Sequence, residues 1–416
     1  MRIAIIGSGI SGLGAAYYLQ KEHEVTIFEK NNYLGGHTYT YTHHFNDKDH
    51  AIDTGFIVFN ETTYPNFIKL LKKLNIKTQN TQMGFSFESL SNGFVYNGSS
   101  FRGLFCDKKN LLNFDFYKLI ADFYRFGIIA KKMISSPNSK MTLNEFLDEY
   151  KFHRFFKDYY LIPLSSALWS TSYKNILDAP IQFIIYFLYN HSLLGYEHHL
   201  QWKTIVGGST QYVKKLSEEF KKAGTSLLLN KPIIKIERKD KIKIIDMEKN
   251  EYLFDKVIIA THSDEILSIL DEPTDIEQNI FEKCLYENNE VILHTDRKVL
   301  PKNKKAWAAW NYKQYPDHIA SSTLTYYMNY LQNLDAELDY FVSLNQSAYI
   351  NPEKIIAKFN YSHPTFSSES FKIQKEHEKI MGIRNTYYCG AYWGFGFHED
   401  GLKSALKVCK YLGIEP

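Results

Sequence analysis

Cysteine is scarce. The 416 residues hold four, Cys106, Cys284, Cys389 and Cys409, far apart and without a C-x-x-C pair. That excludes a disulfide framework and a zinc ribbon, fits a reducing compartment, and leads us to expect no metal. An excess of charge is also missing. The 49 basic and 46 acidic residues leave a formal charge of +3, so global charge names no polyanionic partner. No basic patch with interleaved aromatics argues for nucleic acid. No run reaches the ~20 apolar residues that span a bilayer; the longest, Ile181 to Leu188, is short and interrupted. No leader-like stretch precedes the first strand, so a cytoplasmic protein is expected. Repeats and low-complexity tracts are absent. What is present, 44% hydrophobic and 16% aromatic residues, suffices for two domains, or for one domain with a large insertion.

The first 36 residues organise the rest. Arg2 to Ile6 is a short apolar run that reads as a buried parallel strand. It enters Gly7-Ser8-Gly9-Ile10-Ser11-Gly12, then a helical pattern from Leu13 to Lys21, then a second strand, Glu24 to Phe28, closed by Glu29. Gly7 permits the turn, Gly9 clears the path of a pyrophosphate, and Gly12 lets helix and strand pack closely. The helix N-terminus offers amides and a positive dipole end to phosphate. Glu29, 22 residues after Gly7, stands where a carboxylate binds ribose hydroxyls, which favours NAD or FAD over NADP. The fold class is therefore α/β, with a Rossmann-type domain.

Downstream, Gly35-Gly36-His37-Thr38 forms a loop suited to lie on a ligand. Asp53-Thr54-Gly55 reads as a turn entering a strand. Residues 61–202 change character: Tyr64 to Leu74 is amphipathic, Phe85 to Tyr96 reads as a hairpin, and Phe114 to Ile134 and Leu143 to Tyr150 are helical. Thr142 is the expected cap of the last, with Glu145 at its third position. The aromatics Phe155, Phe156, Tyr159, Tyr160, Trp169, Phe183, Tyr186, Phe187 and Tyr189 read mainly as core. The stretch Phe116 to Met133 mixes Lys118, Arg125, Lys131 and Lys132 with apolar residues, a pattern compatible with a partly buried helix or a membrane-surface one. Val206-Gly207-Gly208, a meander from about Leu227 to Phe254, and the strand ending Ala260-Thr261-His262 return to the nucleotide domain. A second insertion, 286–384, carries Trp307, Trp310, Tyr312 and Tyr315. The chain closes with Cys389-Gly390-Ala391-Tyr392-Trp393-Gly394-Phe395-Gly396-Phe397-His398-Glu399-Asp400-Gly401 and a helix. The expected division is 1–60, 203–285 and 385–416 for the FAD domain, and 61–202 and 286–384 for an α+β substrate domain.

These pieces in this order resemble the flavin amine oxidase superfamily, which also holds protoporphyrinogen oxidases and carotenoid desaturases. Asp53 to Asn60, His294-Thr295-Asp296, Trp310-Asn311-Tyr312, Tyr361-Ser362-His363-Pro364 and Gly390 to Gly401 are similar to one bacterial amine-oxidase-like subfamily. Its members tend to be encoded near cyclopropane-fatty-acyl-phospholipid synthases, and some eukaryotic relatives are fused to that enzyme. The resemblance implies FAD, a lipid-like substrate and a fatty-acyl methyltransferase as partner; peripheral membrane contact is the expectation that the Phe116 to Met133 stretch adds. It also implies the flavin contacts, namely Gly7, Gly9, Ser11, Gly12, Glu29, Lys30, Gly35, Gly36, His37, Thr38, Thr54, Gly55, Pro232, Ile233, Ala260, Thr261, His262, Gly390, Ala391, Phe397 and Glu399. Phe56, Trp310, Tyr392 and Trp393 are the expected flavin or substrate wall.

The superfamily's amine oxidases place a lysine on a substrate-domain strand. The alignment puts Glu290 there, on one strand face with Ile292 and His294. Glu290, His294 and His398 are thus the candidate catalytic groups. Dehydrogenation of a modified fatty acyl chain by hydride transfer to flavin is the leading expectation. A flavin amine or amino-acid oxidase is the alternative, though Arg102, Arg125, Arg154 and Arg297 sit in no recognisable carboxylate-binding motif. A non-redox flavin-dependent isomerase or lipid-binding protein is the second alternative. The electron acceptor stays open.

Overall fold

Short strands whose side chains are buried on both faces need cover on both faces, and the first sheet of this protein is built from them. The computed structural model describes residues 1–135, 141–195, 200–316 and 323–416. Strand β1 (Arg2–Ile6) turns into α1 (Ile10–Leu19) and returns as β2 (Glu24–Phe28). A hairpin follows, β3 (Thr40–Phe45) and β4 (Lys48–Asp53). Helix α2 (Pro65–Lys73) leads to a second hairpin, β5 (Phe85–Ser89) and β6 (Val95–Asn97). Next come α3 (Phe114–Ser135), α4 (Ile162–Trp169) and α5 (Ile181–Asn190). Helix α6 (Thr210–Ala223) and β7 (Ser226–Leu228) rejoin the first sheet. They precede the meander β8 (Ile233–Arg238), β9 (Ile242–Asp246) and β10 (Glu251–Phe254), then β11 (Lys256–Ile259) and α7 (Asp275–Phe281). Strands β12 (Tyr286–His294), β13 (Trp310–Gln314), β14 (Leu324–Tyr327), β15 (Phe341–Leu344) and β16 (Ile355–Pro364) build the second sheet. The chain ends in β17 (Thr386–Tyr388) and α8 (His398–Tyr411).

The first sheet has the order β7-β2-β1-β11-β17 and is parallel throughout. Helices α1, α6 and α8 cover one face; the meander and α7 contribute to the other. The second sheet has the order β16-β12-β15-β14-β13-β5-β6, mixed because β13 and β5 pair in parallel. Helices α3, α4 and α5 pack beside it in one large aromatic core. Of the aromatics assigned to core, Phe156, Tyr159, Trp169, Phe183 and Phe187 are buried, while Tyr189 is half exposed. Thr142 caps Leu143–Glu149, with the full reciprocal box to Glu145.

Three local readings change. Helix α1 starts at Ile10 rather than Leu13, because Gly12 is a helical residue whose missing side chain serves packing. The hairpin of β3 and β4 has no counterpart in the sequence reading. Asp53 closes β4, so Asp53-Thr54-Gly55 leaves a strand instead of entering one.

Asp53 also joins the two sheets. Its carboxylate accepts from Thr40 Oγ1 (2.6 Å), from Ser209 N and Oγ (both 2.8 Å), and from Gln332 Nε2 (3.1 Å). Its backbone amide donates to Gln332 Oε1 (2.9 Å). Burial pushes the carboxyl from 3.8 up to about 7, against the hydrogen bonds from Thr40 and Ser209. A carboxyl with a folded value above its unfolded one stabilises the fold while protonated. That contribution is complete below the unfolded value and is lost as pH rises through the folded one. Over the window from about pH 4 to about pH 7, wild type is expected to lose about 4 kcal/mol relative to Asp53→Asn. Urea unfolding of both proteins at a series of pH values measures this. A difference that does not vary with pH would refute it.

Candidate active site

The cleft begins where β1 meets α1. A Cβ on Gly12 would lie 2.0 Å from the Gly7 carbonyl oxygen, and one on Gly7 would lie 2.8 Å from that of Ala260. Gly9 differs: a Cβ there meets nothing within 4 Å. The empty side of Gly9 adjoins the N-terminus of α1, which no side chain caps. Its first amides therefore await an acceptor from outside the helix.

Around this opening the predicted contacts assemble. Glu29 is buried at the end of β2 and accepts from Ser8 N (3.0 Å), Ser8 Oγ (2.6 Å) and Asn31 N (2.9 Å). Gly35 N donates to Ser8 O, and a Cβ on Gly36 would stand 3.2 Å from Gly9 Cα. The glycine doublet thus lies against the glycine turn. Lys231 N donates to Glu29 O, bringing the Pro232–Ile233 segment alongside. Ala260, Thr261 and His262 follow β11 directly beside Gly7. Gly390 N donates to Ser404 Oγ, and Ser11 and Ala391 both face Gly401 at the start of α8. Lys30 is exposed and ion-paired with Glu265.

The second wall is one face of the second sheet. Asn289 pairs with Tyr361 across β12 and β16, and Glu287 pairs with His363. Paired residues share a face, so these four point the same way. Tyr361 Oη and Thr54 Oγ1 are 2.7 Å apart, and the Tyr361 ring sits 4.9 Å from His37. His37 also touches His363 (5.4 Å) and His262 (5.3 Å). Asn289 Nδ2 donates to Ser170 O (2.9 Å) and reaches His363 Nδ1 (3.2 Å), while Asn289 Oδ1 accepts from Asn345 Nδ2 (2.7 Å). The same sheet face carries Trp310 and Tyr326, in register with Val342 and Leu293. Burial holds His37 and His363 at about 3 and His262 at about 4, so all three rings are neutral near pH 7.

Several predicted residues stand elsewhere. Glu290 pairs with Asn360 on the opposite face, near Lys358. His294 shares that face. It is fully buried, with Nε2 2.8 Å from Ser343 Oγ and Nδ1 accepting from Asp296 N. A one-residue error in strand phase turns every side chain to the wrong face, and that is the error here. The run Val291 to His294 is buried on both faces, which erases the alternation that would have revealed the phase. Glu399 is spent on another helix: it accepts from Asn66 N, Asn66 Nδ2 and Phe67 N, capping α2. Trp393 stacks on His377 at 4.0 Å, on the meander side, and leaves the wall. Tyr392 folds over Gly390 with its hydroxyl unpartnered. His398 stacks on Phe56 at 3.7 Å and holds Tyr212 Oη at 2.7 Å. It clamps α8 to the segments carrying Thr38 and Phe56, with its Nε2 occupied by Tyr212 and 3.4 Å from Thr38 Oγ1. Phe397 packs on Phe187 of α5. Asn289, Tyr326, Tyr361 and His363 had no assigned role; Tyr361 and His363 lay inside a quoted motif, but only the register gives them a face.

A glycine turn with an open flank, an uncapped helix end, a carboxylate closing β2 and a facing mixed sheet define a dinucleotide-dependent flavoprotein of two interleaved layers. The residues present fit FAD. The chain belongs to the flavin containing amine oxidoreductase family, which it matches over residues 10–412, and is an FAD-dependent enzyme. Its structure is similar to that of a putrescine oxidase, with TM-score 0.70, 12% identity and 99% of each chain covered. It is similar to a fatty acid isomerase from P. acnes (0.69, 16%, 99% of each chain) and to cyclohexylamine oxidase from Brevibacterium oxydans (0.69, 15%, 99% of each). At these identities the likeness is one of fold. In sequence, 37 residues are 60% identical to a 4,4'-diapophytoene desaturase of Staphylococcus aureus, covering 9% of this chain and only 7% of that enzyme.

The two glycines separate binding from folding. Gly9→Ala is expected to leave the unfolding midpoint near that of wild type, with FAD affinity down at least roughly tenfold, because the methyl enters the pyrophosphate path. Gly12→Ala is expected to lose about 1–3 kcal/mol of stability by overpacking. Flavin retention and thermal unfolding measure both. Equal FAD affinity in Gly9→Ala and wild type would refute the assignment of the open flank.

Proposed function

We propose that the protein removes two hydrogens from adjacent carbons of a lipid-like acyl chain. The observation that carries this reading is the chemistry of the cleft face of the second sheet. Trp310, Tyr326 and Phe359 are partly buried aromatic groups there, Val291 and Tyr361 pack against Ile52 and Ile57, and Asn289 and the neutral ring of His363 share the face with Glu287. That face of β12 and β16 has no lysine among the described residues, and Glu290, the residue aligned with the amine oxidases' lysine, lies on the opposite face. Glu287 on the same face as Asn289 is held through its Oε2 by Thr171 Oγ1, Ser172 N and Asn175 Nδ2. A fatty-acyl methyltransferase is the proposed supplier of the modified chain.

Bound FAD supplies the hydride acceptor for this chemistry. The contacts to Ser170 O and Asn345 fix the Asn289 amide, so Asn289 donates to His363 Nδ1 and the His363 proton sits on Nε2. In this reading Nε2–H orients the acyl carbonyl oxygen. His37 makes no ring hydrogen bond among the described residues, and burial keeps it neutral; the proton released from the second carbon passes to solvent. The Thr54–Tyr361 contact closes the two layers against water.

Anaerobic titration of the purified flavoprotein with phospholipids carrying methyl-branched or cyclopropane acyl chains tests the reading. The flavin absorbance is expected to bleach. His363→Ala is expected to slow bleaching about 10²-fold at unchanged FAD content. Flavin that stays oxidised with acyl lipids but bleaches with a primary amine would overturn the proposal.

A further inference from the structure

Seventeen large apolar side chains are exposed among the described residues, and seven of them lie between Phe101 and Ile128. The others are scattered over separate elements. The cluster centres on the N-terminal end of α3 and the two short helical turns before it, Phe101–Leu104 and Lys108–Leu112. Phe101 is 77% exposed, Leu112 86% and Phe114 83%. The patch is continuous: Phe101 packs on Phe105 (5.0 Å), Phe105 on Tyr117 (6.2 Å), and Tyr117 Oη donates to Leu111 O (3.0 Å). The opposite side of α3 is already spent, since Phe116, Leu119 and Phe126 are buried in the aromatic core. Helix α3 is therefore apolar on two sides, and the core explains only one of them.

Charge decides what covers the other. Between residues 101 and 132 there are seven basic and three acidic residues, an excess of four in a chain whose whole excess is three. The acids are engaged locally. Asp107 caps its own turn, Asp115 pairs with Lys118, and Asp122 pairs with Arg125 and accepts from His153 N. The patch is thus an apolar tip whose basic collar is Arg102, Lys108 and Lys109, while Lys131 and Lys132 lie towards the far end of α3. A second copy of the chain would bring like charge against like charge. An anionic lipid surface meets the tip with acyl chains and the collar with phosphates. No helix among the described residues is long and apolar enough to cross a membrane, so the contact is one of surface. We infer that this end of α3 docks the protein on anionic phospholipid membranes. The inference stands on the patch itself and is independent of the substrate reading.

The test is cosedimentation of the FAD-loaded, full-length protein with vesicles of phosphatidylcholine, with and without phosphatidylglycerol. Binding is expected for the vesicles containing phosphatidylglycerol and is expected to weaken with added salt. The double variant Leu112→Asp, Phe114→Asp alters two side chains exposed above 80%, so it is expected to keep its fold and flavin while losing binding at least about tenfold. Binding unchanged in the variant, or no vesicle binding by wild type, would overturn the inference. So would a wild-type dimer in sedimentation velocity that the same substitutions dissociate, since a second copy would then be the occupant.

Discussion

The structure depends on backbone approaching backbone at one corner of the first sheet. Gly12 lies against the Gly7 carbonyl, Gly7 against Ala260, Gly14 against Leu402, and Gly401 against Ser11 and Ile10. Any side chain at these points would force β1, α1, β11 and α8 apart. Because they close up, the N-terminus of α1 is held at the ends of the parallel strands, where a phosphate can reach its amides. Gly9 is the exception in the same loop, with open space where its neighbours have contact. Packing and binding are thus divided among glycines only a few residues apart.

The second sheet is held to this corner by polar contacts together with an apolar cluster in which Ile52 and Ile57 pack with Val291, Leu293 and Val342. Asp53 gathers donors from β3, from the residue before α6 and from Gln332, and Thr54 next to it meets Tyr361. Such contacts are directional, so they set how the sheet face stands across the cleft, whereas apolar burial alone would leave it free to slide. The cost is a carboxyl whose ionisation burial opposes. Glu399 and His398 serve the same end from the other side: one caps α2, the other braces Phe56 and Tyr212. Residues beside the flavin loop are in this way spent on keeping the loop in place.

The chemistry of the cleft follows from which residues the sheet turns inward. Asn289, Tyr361 and His363 on β12 and β16, with Trp310 and Tyr326 further along, make a largely aromatic surface that also carries Glu287. Its charged neighbours Glu290 and Lys358 lie on the far face, paired with each other. On α3 the same composition, aromatic residues among lysines, has a different outcome, because one side of the helix enters the core and the other does not.

The amino-acid sequence by itself determined the dinucleotide unit. Its motif is local: strand, glycine turn, helix and terminal acid are consecutive, and each has a steric or electrostatic reason that needs no knowledge of distant residues. The amphipathic helices and the Thr142 cap were legible for the same reason, since periodicity and capping are properties of a few neighbouring positions. Tertiary structure alone decided which face of β12 each residue takes. A strand buried on both sides carries no alternation, so Asn289 and Glu290 could not be told apart until β16 and β15 fixed the register of β12. It also decided that Glu399 caps a helix more than 300 residues earlier in the chain and that Trp393 turns to His377. Those partners are distant in sequence, and only the folded chain brings them within hydrogen-bond or stacking distance.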